Sequence, residues 1–161
     1  MQQNLKKKYV ITQSATIKRA RLQDFDTAFT FISALEKENF DKKVFKSLYI
    51  KNIQNKDNVY LIAWHKVPVG FLSCHIQSLL HHGGNVAEIQ EMYVVPEARG
   101  QGIGKQLLDQ LKDILKKRKV HRIEVTSQVH RTQAHRFYQG ENFRLTSKKF
   151  VCDNYRNRRI F

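Results

Sequence analysis

The sequence predicts an α/β fold in which helices flank one mixed β-sheet, and three features predict it. Apolar residues recur at helical spacing in several segments. Runs rich in β-branched and aromatic residues, each of strand length, alternate with them. A glycine-rich turn joins one of those runs to a long amphipathic helix. The 161 residues fit a single domain, 1–161, with basic terminal segments at 1–14 and 154–161.

Residues 16–20 read as a first strand. Asp24 is a suitable N-cap for a helix reaching about Glu38, with Phe25, Ala28, Phe29, Ile32 and Leu35 on one face. A second helix covers 42–53, burying Val44, Phe45, Leu48 and Tyr49. After a turn at 55–58, strands follow at 59–64 and 67–77, hinged at His65-Lys66. Gly83-Gly84-Asn85 is a loop, and 86–95 a further strand closed by Pro96. The basic, glycine-rich stretch 97–104 leads into a helix that buries Ile103, Leu107, Leu108, Leu111, Ile114 and Leu115. A strand at 122–126 and a short helix at 132–140, stopped by Gly140, come next. One or two last strands are expected over 143–152.

Composition narrows the function classes. With 41% apolar residues the chain is not of disordered type. No apolar run approaches 18 residues, so no membrane span is expected. The N-terminal lysines precede no apolar stretch of the secretory kind. Cys74 and Cys152 have no paired spacing and are expected to be reduced thiols of a cytoplasmic protein. The net charge of +15 is concentrated at the ends: residues 1–20 hold five basic and no acidic side chains, and 144–161 six basic against one acidic. Such tails suit either a solvated surface, the preferred reading, or a polyanion such as nucleic acid. Association of two copies is left open.

The most informative segment is Arg99-Gly100-Gln101-Gly102-Ile103-Gly104, between a strand and a helix. Glycines permit positive φ and close approach of a ligand to the backbone. Amides at a helix N-terminus converge on an anion, and Arg99 and Lys105 add charge for phosphates. The other reading is a tight strand–helix turn with no ligand. The spacing is neither the dinucleotide fingerprint nor a P-loop. The stretch Met92-Tyr93-Val94-Val95-Pro96-Glu97-Ala98-Arg99-Gly100-Gln101-Gly102-Ile103-Gly104 resembles the acetyl-CoA motif of the GNAT superfamily of N-acetyltransferases, with Arg99, Gly102 and Gly104 on its pattern. Ala134-His135-Arg136-Phe137-Tyr138, followed by Gly140-Glu141-Asn142-Phe143, resembles that superfamily's second motif. The segments 38–41, 79–82, 87–91, 129–131 and 134–138 are similar to bacterial aminoalkylphosphonate N-acetyltransferases. The resemblance implies a mostly antiparallel, twisted central sheet and acetyl-CoA as co-substrate. It also implies direct attack by the primary amine of a small molecule in a ternary complex. Acetylation of a protein or peptide amine, or a non-enzymatic nucleic-acid module on the same fold, are the alternatives.

Acetyl transfer needs an amine freed of its proton, a polarised thioester carbonyl and a proton for the leaving thiolate. Glu88 is the candidate base, on the strand that the resemblance places along the cleft. Glu91 competes and is also a candidate substrate contact. In a regular strand their odd separation points them to opposite faces, unless a β-bulge intervenes. Either could instead serve a strand-edge ion pair. Tyr138 is the candidate acid, against the plainer role of a core tyrosine beside Phe137. By resemblance, the N–H groups of Tyr93, Val94 and Val95 pair with the pantetheine arm, an amide near Met92 polarises the thioester, and Arg99 to Lys105 hold the phosphates. His81 and His82 are candidate substrate contacts. With His75 they form no recognised zinc spacing, so no metal ligand is assigned. The likeness to aminoalkylphosphonate enzymes keeps a divalent ion open.

Overall fold

A computed structural model describes residues 14–152. In chain order it contains β1 (Thr16–Arg19), α1 (Phe25–Glu36), α2 (Lys42–Gln54), β2 (Asn58–His65), β3 (Val67–Leu79), β4 (Gly84–Val94), α3 (Ile103–Lys117), β5 (Arg122–Val125) and α4 (Thr132–Gly140). Single 3₁₀ turns lie at Leu22–Asp24, Leu80–His82 and Pro96–Ala98. The strands form one sheet in the order β1-β2-β3-β4-β5. The first three pairings are antiparallel, and β5 lies parallel to β4. A parallel neighbour needs a crossover of a dozen or more residues, which α3 supplies.

Both faces of the sheet are covered, which is why Asn58–Ala63 is buried without interruption. On one face Val59, Leu61, Ala63, Leu72, Cys74, Ala87 and Ile89 pack with Ile103, Leu107, Leu108, Leu111 and Leu115 of α3 and with Tyr138 of α4. On the other, Tyr60, Ile62 and Phe71 pack with Phe25, Ala28 and Phe31 of α1 and Tyr49 of α2. Asp41 caps α2, accepting from the N–H groups of Lys43 (2.8 Å) and Val44 (3.0 Å). The first helix stops at Glu36, short of the expected Glu38, because Lys37 turns left-handed at φ 59°. Val44 and Leu48, expected inside, are about half exposed.

The expected last strand over 143–152 is not formed. That segment has no regular structure, and Leu145 and Phe150 are almost wholly exposed. Its apolar residues are split by the polar run Thr146-Ser147-Lys148-Lys149, which breaks the alternation a half-buried strand needs. The basic segments at 1–14 and 154–161 lie outside the described residues, apart from Ser14.

Candidate active site

The site is built on β4 and a fault in its pairing with β3. Ser73 faces Glu91 and Cys74 faces Ile89, so Gln90 is an extra residue, a β-bulge. Glu88 lies opposite His75. Ser73 and His75 share a face, so the bulge puts Glu88 and Glu91 on that same face, beneath α1 and α2. The opposite-face expectation for a regular strand therefore fails here.

The two carboxylates have different surroundings. Glu91 accepts a hydrogen bond from Ser73 Oγ, and its own N–H donates to that oxygen at 3.2 Å. Burial raises its pKa and the charge of Glu36 adds to this, while the Ser73 hydroxyl pulls the other way. Glu88 is half-buried and accepts from Thr126 Oγ1 at 3.2 Å, just past the end of β5. Opposite Glu88, His75 stacks parallel to Tyr60, with the Tyr60 hydroxyl 3.2 Å from Nε2. Burial lowers the His75 pKa against the pull of Glu88.

Beyond Ile89 the sheet forks. The β4–β5 ladder runs from Val86↔Arg122 to Ile89↔Val125 and stops because β5 ends there. From Gln90 to Val94, β4 has no strand neighbour on that edge among the described residues. The N–H of Val95 donates to Val69 O at 3.0 Å. Alternation along an antiparallel strand turns the Tyr93 amide the same way and leaves those of Met92 and Val94 on the open edge. The Val94 carbonyl agrees, since it accepts from Arg99 Nε at 3.0 Å rather than from a strand. Of the three amides expected to meet pantetheine, that of Val94 faces the open edge, as does that of Met92, while those of Tyr93 and Val95 face β3.

The glycine loop follows a Pro96–Ala98 turn. Gly100 and Gly102 have φ of 74° and 77°, the left-handed region that a side chain disfavours. A Cβ on Gly100 would meet nothing within 4 Å, so open space lies above the loop. Gly102 is the N-cap of α3 and has no side chain to satisfy the first helical N–H groups. An acceptor from outside can do so, and a phosphate suits that position. Ile103 is buried and can offer only its backbone; Gly104 faces the ring of Phe137. Gln101 Nε2 donates to Glu97 O at 2.9 Å. The expected phosphate cations both have protein partners: Arg99 lies over the Tyr93 ring, and Lys105 pairs with Asp109 (3.1 Å) and Glu141 (3.4 Å).

Tyr138 is buried, set edge-on to Phe137 and Phe143 with ring centroids 5.3 and 5.4 Å away. Burial pushes its phenol up to about 12, against the pull of Arg131. Its hydroxyl has no hydrogen-bond partner among the described residues. His81 and His82 sit on the turn joining β3 to β4, their rings 4.1 Å apart. His82 Nε2 is 3.4 Å from Glu124, the β5 residue beside Glu88 in the ladder. His81 is exposed. Among the described residues no three His, Cys, Asp or Glu side chains converge on a point that could hold a metal ion.

Arg131, immediately before α4, donates from one guanidinium nitrogen to Glu36 Oε2 (2.9 Å) and Leu35 O (3.3 Å) at the end of α1. This pair, like Ser73 and Thr126, carries no signal in sequence spacing: its members are 95 positions apart.

A forked mixed sheet with a glycine loop capping the next helix defines the class, and the acetyltransferase (GNAT) family pattern matches residues 21–143. The chain belongs to that family and is an acetyl-CoA-dependent N-acetyltransferase. It is 31% identical over 136 residues to the aminoalkylphosphonate N-acetyltransferase of Salmonella typhimurium, spanning 84% of this chain and 88% of that one. A predicted acetyltransferase from Clostridium acetobutylicum, solved with acetyl-CoA, superposes with a TM-score of 0.75 at 19% identity, covering 86% and 96% of the two chains. A transcriptional regulator from Bacillus halodurans gives 0.78 at 24% identity, over 86% and 99%. At those identities the two structures establish a shared fold and nothing finer.

Proposed function

We propose that this enzyme acetylates the primary amine of a small molecule carrying an anionic group, an aminoalkylphosphonate being the first candidate. The observation that carries the reading is the fork itself. It leaves strand amides open next to the glycine loop, while the bulge at Gln90 beside it sets two carboxylates on one sheet face. The likeness to the Salmonella enzyme, which extends over most of both chains, supports the acceptor class.

In this reading the loop 99–105 holds the phosphates of acetyl-CoA, and the open amides of Met92 and Val94 bind the pantetheine arm and polarise the thioester carbonyl. An alkylammonium with a pKa near 10 has no lone pair, so a base must first take a proton. Glu88 is assigned that role because it is the more accessible carboxylate and stands where the fork opens. It receives the proton directly or through a water. The amine nitrogen then bonds to the carbonyl carbon, and the carbon–sulfur bond breaks as Tyr138 gives its hydroxyl proton to the departing sulfur. The second proton lost by the nitrogen passes to the tyrosinate, directly or through a water, restoring the phenol. Glu91, held by Ser73, shapes the floor of the acceptor site. His82, beside Glu124, lines the same face, with His81 at its rim.

Release of free CoA, followed with 2-aminoethylphosphonate, propylamine, spermidine and short peptides, tests the acceptor class. The phosphonate should give the highest kcat/KM. Peptides turning over far better than every small amine would overturn the acceptor assignment and leave the fold untouched.

A further inference from the structure

The Glu36–Arg131 pair is placed unlike the other ion pairs of the described residues. Lys42–Asp26 and Lys105–Asp109 are exposed, Arg122–Glu124 lies within one strand, His82–Glu124 ties the β3–β4 turn to β5, and Lys105 and Lys112 tie α3 to Glu141 just past α4. Glu36–Arg131 instead joins the end of α1, above the face that carries Glu91, to the start of α4, which carries Tyr138. It therefore spans the two sides of the fork. Its side chains retain 31% and 24% exposure, enough for a solute to reach them. The charges register at both ends, since Glu36 acts on the Glu91 carboxyl and Arg131 on the Tyr138 phenol. The guanidiniums of Arg99 and Arg122 are also engaged, with Val94 O and the Tyr93 ring and with Glu124 at 2.7 Å, but neither joins α1 to α4.

A guanidinium presents a planar fork of donors that suits a carboxylate, and it suits a phosphonate or phosphate equally well. Building on the acceptor assignment above, we infer that Arg131 is the specificity residue that receives the anionic group of the amine substrate, and that Glu36 fills that position until substrate arrives. The acceptor's anion displaces the Glu36 carboxylate from the guanidinium, which directs its amine into the fork toward Glu88. An amine without an anionic group gains nothing from Arg131.

The test is the ratio of kcat/KM for 2-aminoethylphosphonate to that for propylamine. Arg131→Gln should lower this ratio about tenfold or more, the expected size for charge-assisted hydrogen bonds. Arg131→Lys, which keeps the charge but not the fork, should lower it less. Glu36→Gln frees the guanidinium and should raise the ratio. A merely structural tie between α1 and α4 would reduce both activities together, and an unchanged ratio in Arg131→Gln overturns the inference. So does loss of the ratio at Arg122→Gln with none at Arg131. If Arg131→Gln does not fold, Glu36→Gln decides, and an unchanged ratio there also overturns it. Wild-type enzyme that acetylates none of the small amines refutes the acceptor reading itself, a result distinct from wild-type turnover with unchanged discrimination.

Discussion

Tyr138 is the residue at which packing and chemistry make opposite demands. Burial among Phe137 and Phe143 pushes its phenol up to about 12, which favours the protonated form that the proposed role requires. A core tyrosine would normally bond its hydroxyl to a neighbour. This one lacks such a bond among the described residues, so Tyr138→Phe should cost at most about 1 kcal/mol of stability. Loss of a general acid should still slow turnover about 10²- to 10⁴-fold, toward the low end because a thiolate leaves readily. Single-turnover kinetics beside a thermal melt check both halves, and wild-type chemistry in the variant removes Tyr138 from the mechanism. The carboxylates separate in a different way. Glu88→Gln should lower turnover with acetyl-CoA affinity nearly intact, and the deficit should shrink as pH rises and more amine is already neutral. The folded-state pKa of Glu91 is raised, so the folded chain holds a proton there that the unfolded chain has released. Its ionisation therefore subtracts stability as pH climbs from the ordinary carboxylate range through the raised value. Glu91→Gln should melt higher than the parent near pH 7.5, and the gain should vanish near pH 4. A turnover loss confined to Glu91→Gln would transfer the role of base to it.

At the scale of elements, much of the architecture was legible because periodicity encodes burial. The apolar stripe of α3 was read almost residue by residue, since Ile103, Leu107, Leu108, Leu111 and Leu115 all prove buried. The glycine loop was legible for a different reason, since glycine marks backbone conformation directly. What periodicity cannot carry is the direction of an amide. Tyr93 and Val95 looked as suitable for pantetheine as Val94, and only the ladder shows which edge each N–H faces. The bulge at Gln90 was conceivable from sequence, but its position and consequence were not. Contacts such as Glu36–Arg131 bring together distant segments that have no common pattern. The loop carries its own prediction. Gly102→Val places a β-branched residue at φ 77° and at the helix N-cap, combining backbone strain with loss of the anion's approach. Calorimetry should show acetyl-CoA affinity falling at least tenfold, whereas unchanged affinity would detach the loop from the phosphates.

The whole molecule adds a long-range field to this local machinery. With 29 Lys and Arg against 14 Asp and Glu, the chain as a whole carries a net charge of +15, which attracts anions at long range. Yet the loop cations Arg99 and Lys105 are held by protein partners. The global charge and the local contacts can therefore act at different stages of binding. A field that steers a polyphosphorylated ligand raises its association rate and weakens as salt shortens the screening length, from about 30 Å at 0.01 M to about 8 Å at 0.15 M. Contacts made in the bound state are read instead in the dissociation rate. Stopped-flow measurement of acetyl-CoA binding across that range should show the association rate falling several-fold, with dissociation changing much less. A salt effect confined to dissociation would assign the charge requirement to the loop alone. An association rate indifferent to salt would leave the basic surface without a part in acetyl-CoA capture, and its bearing would then be on solubility or on another polyanion.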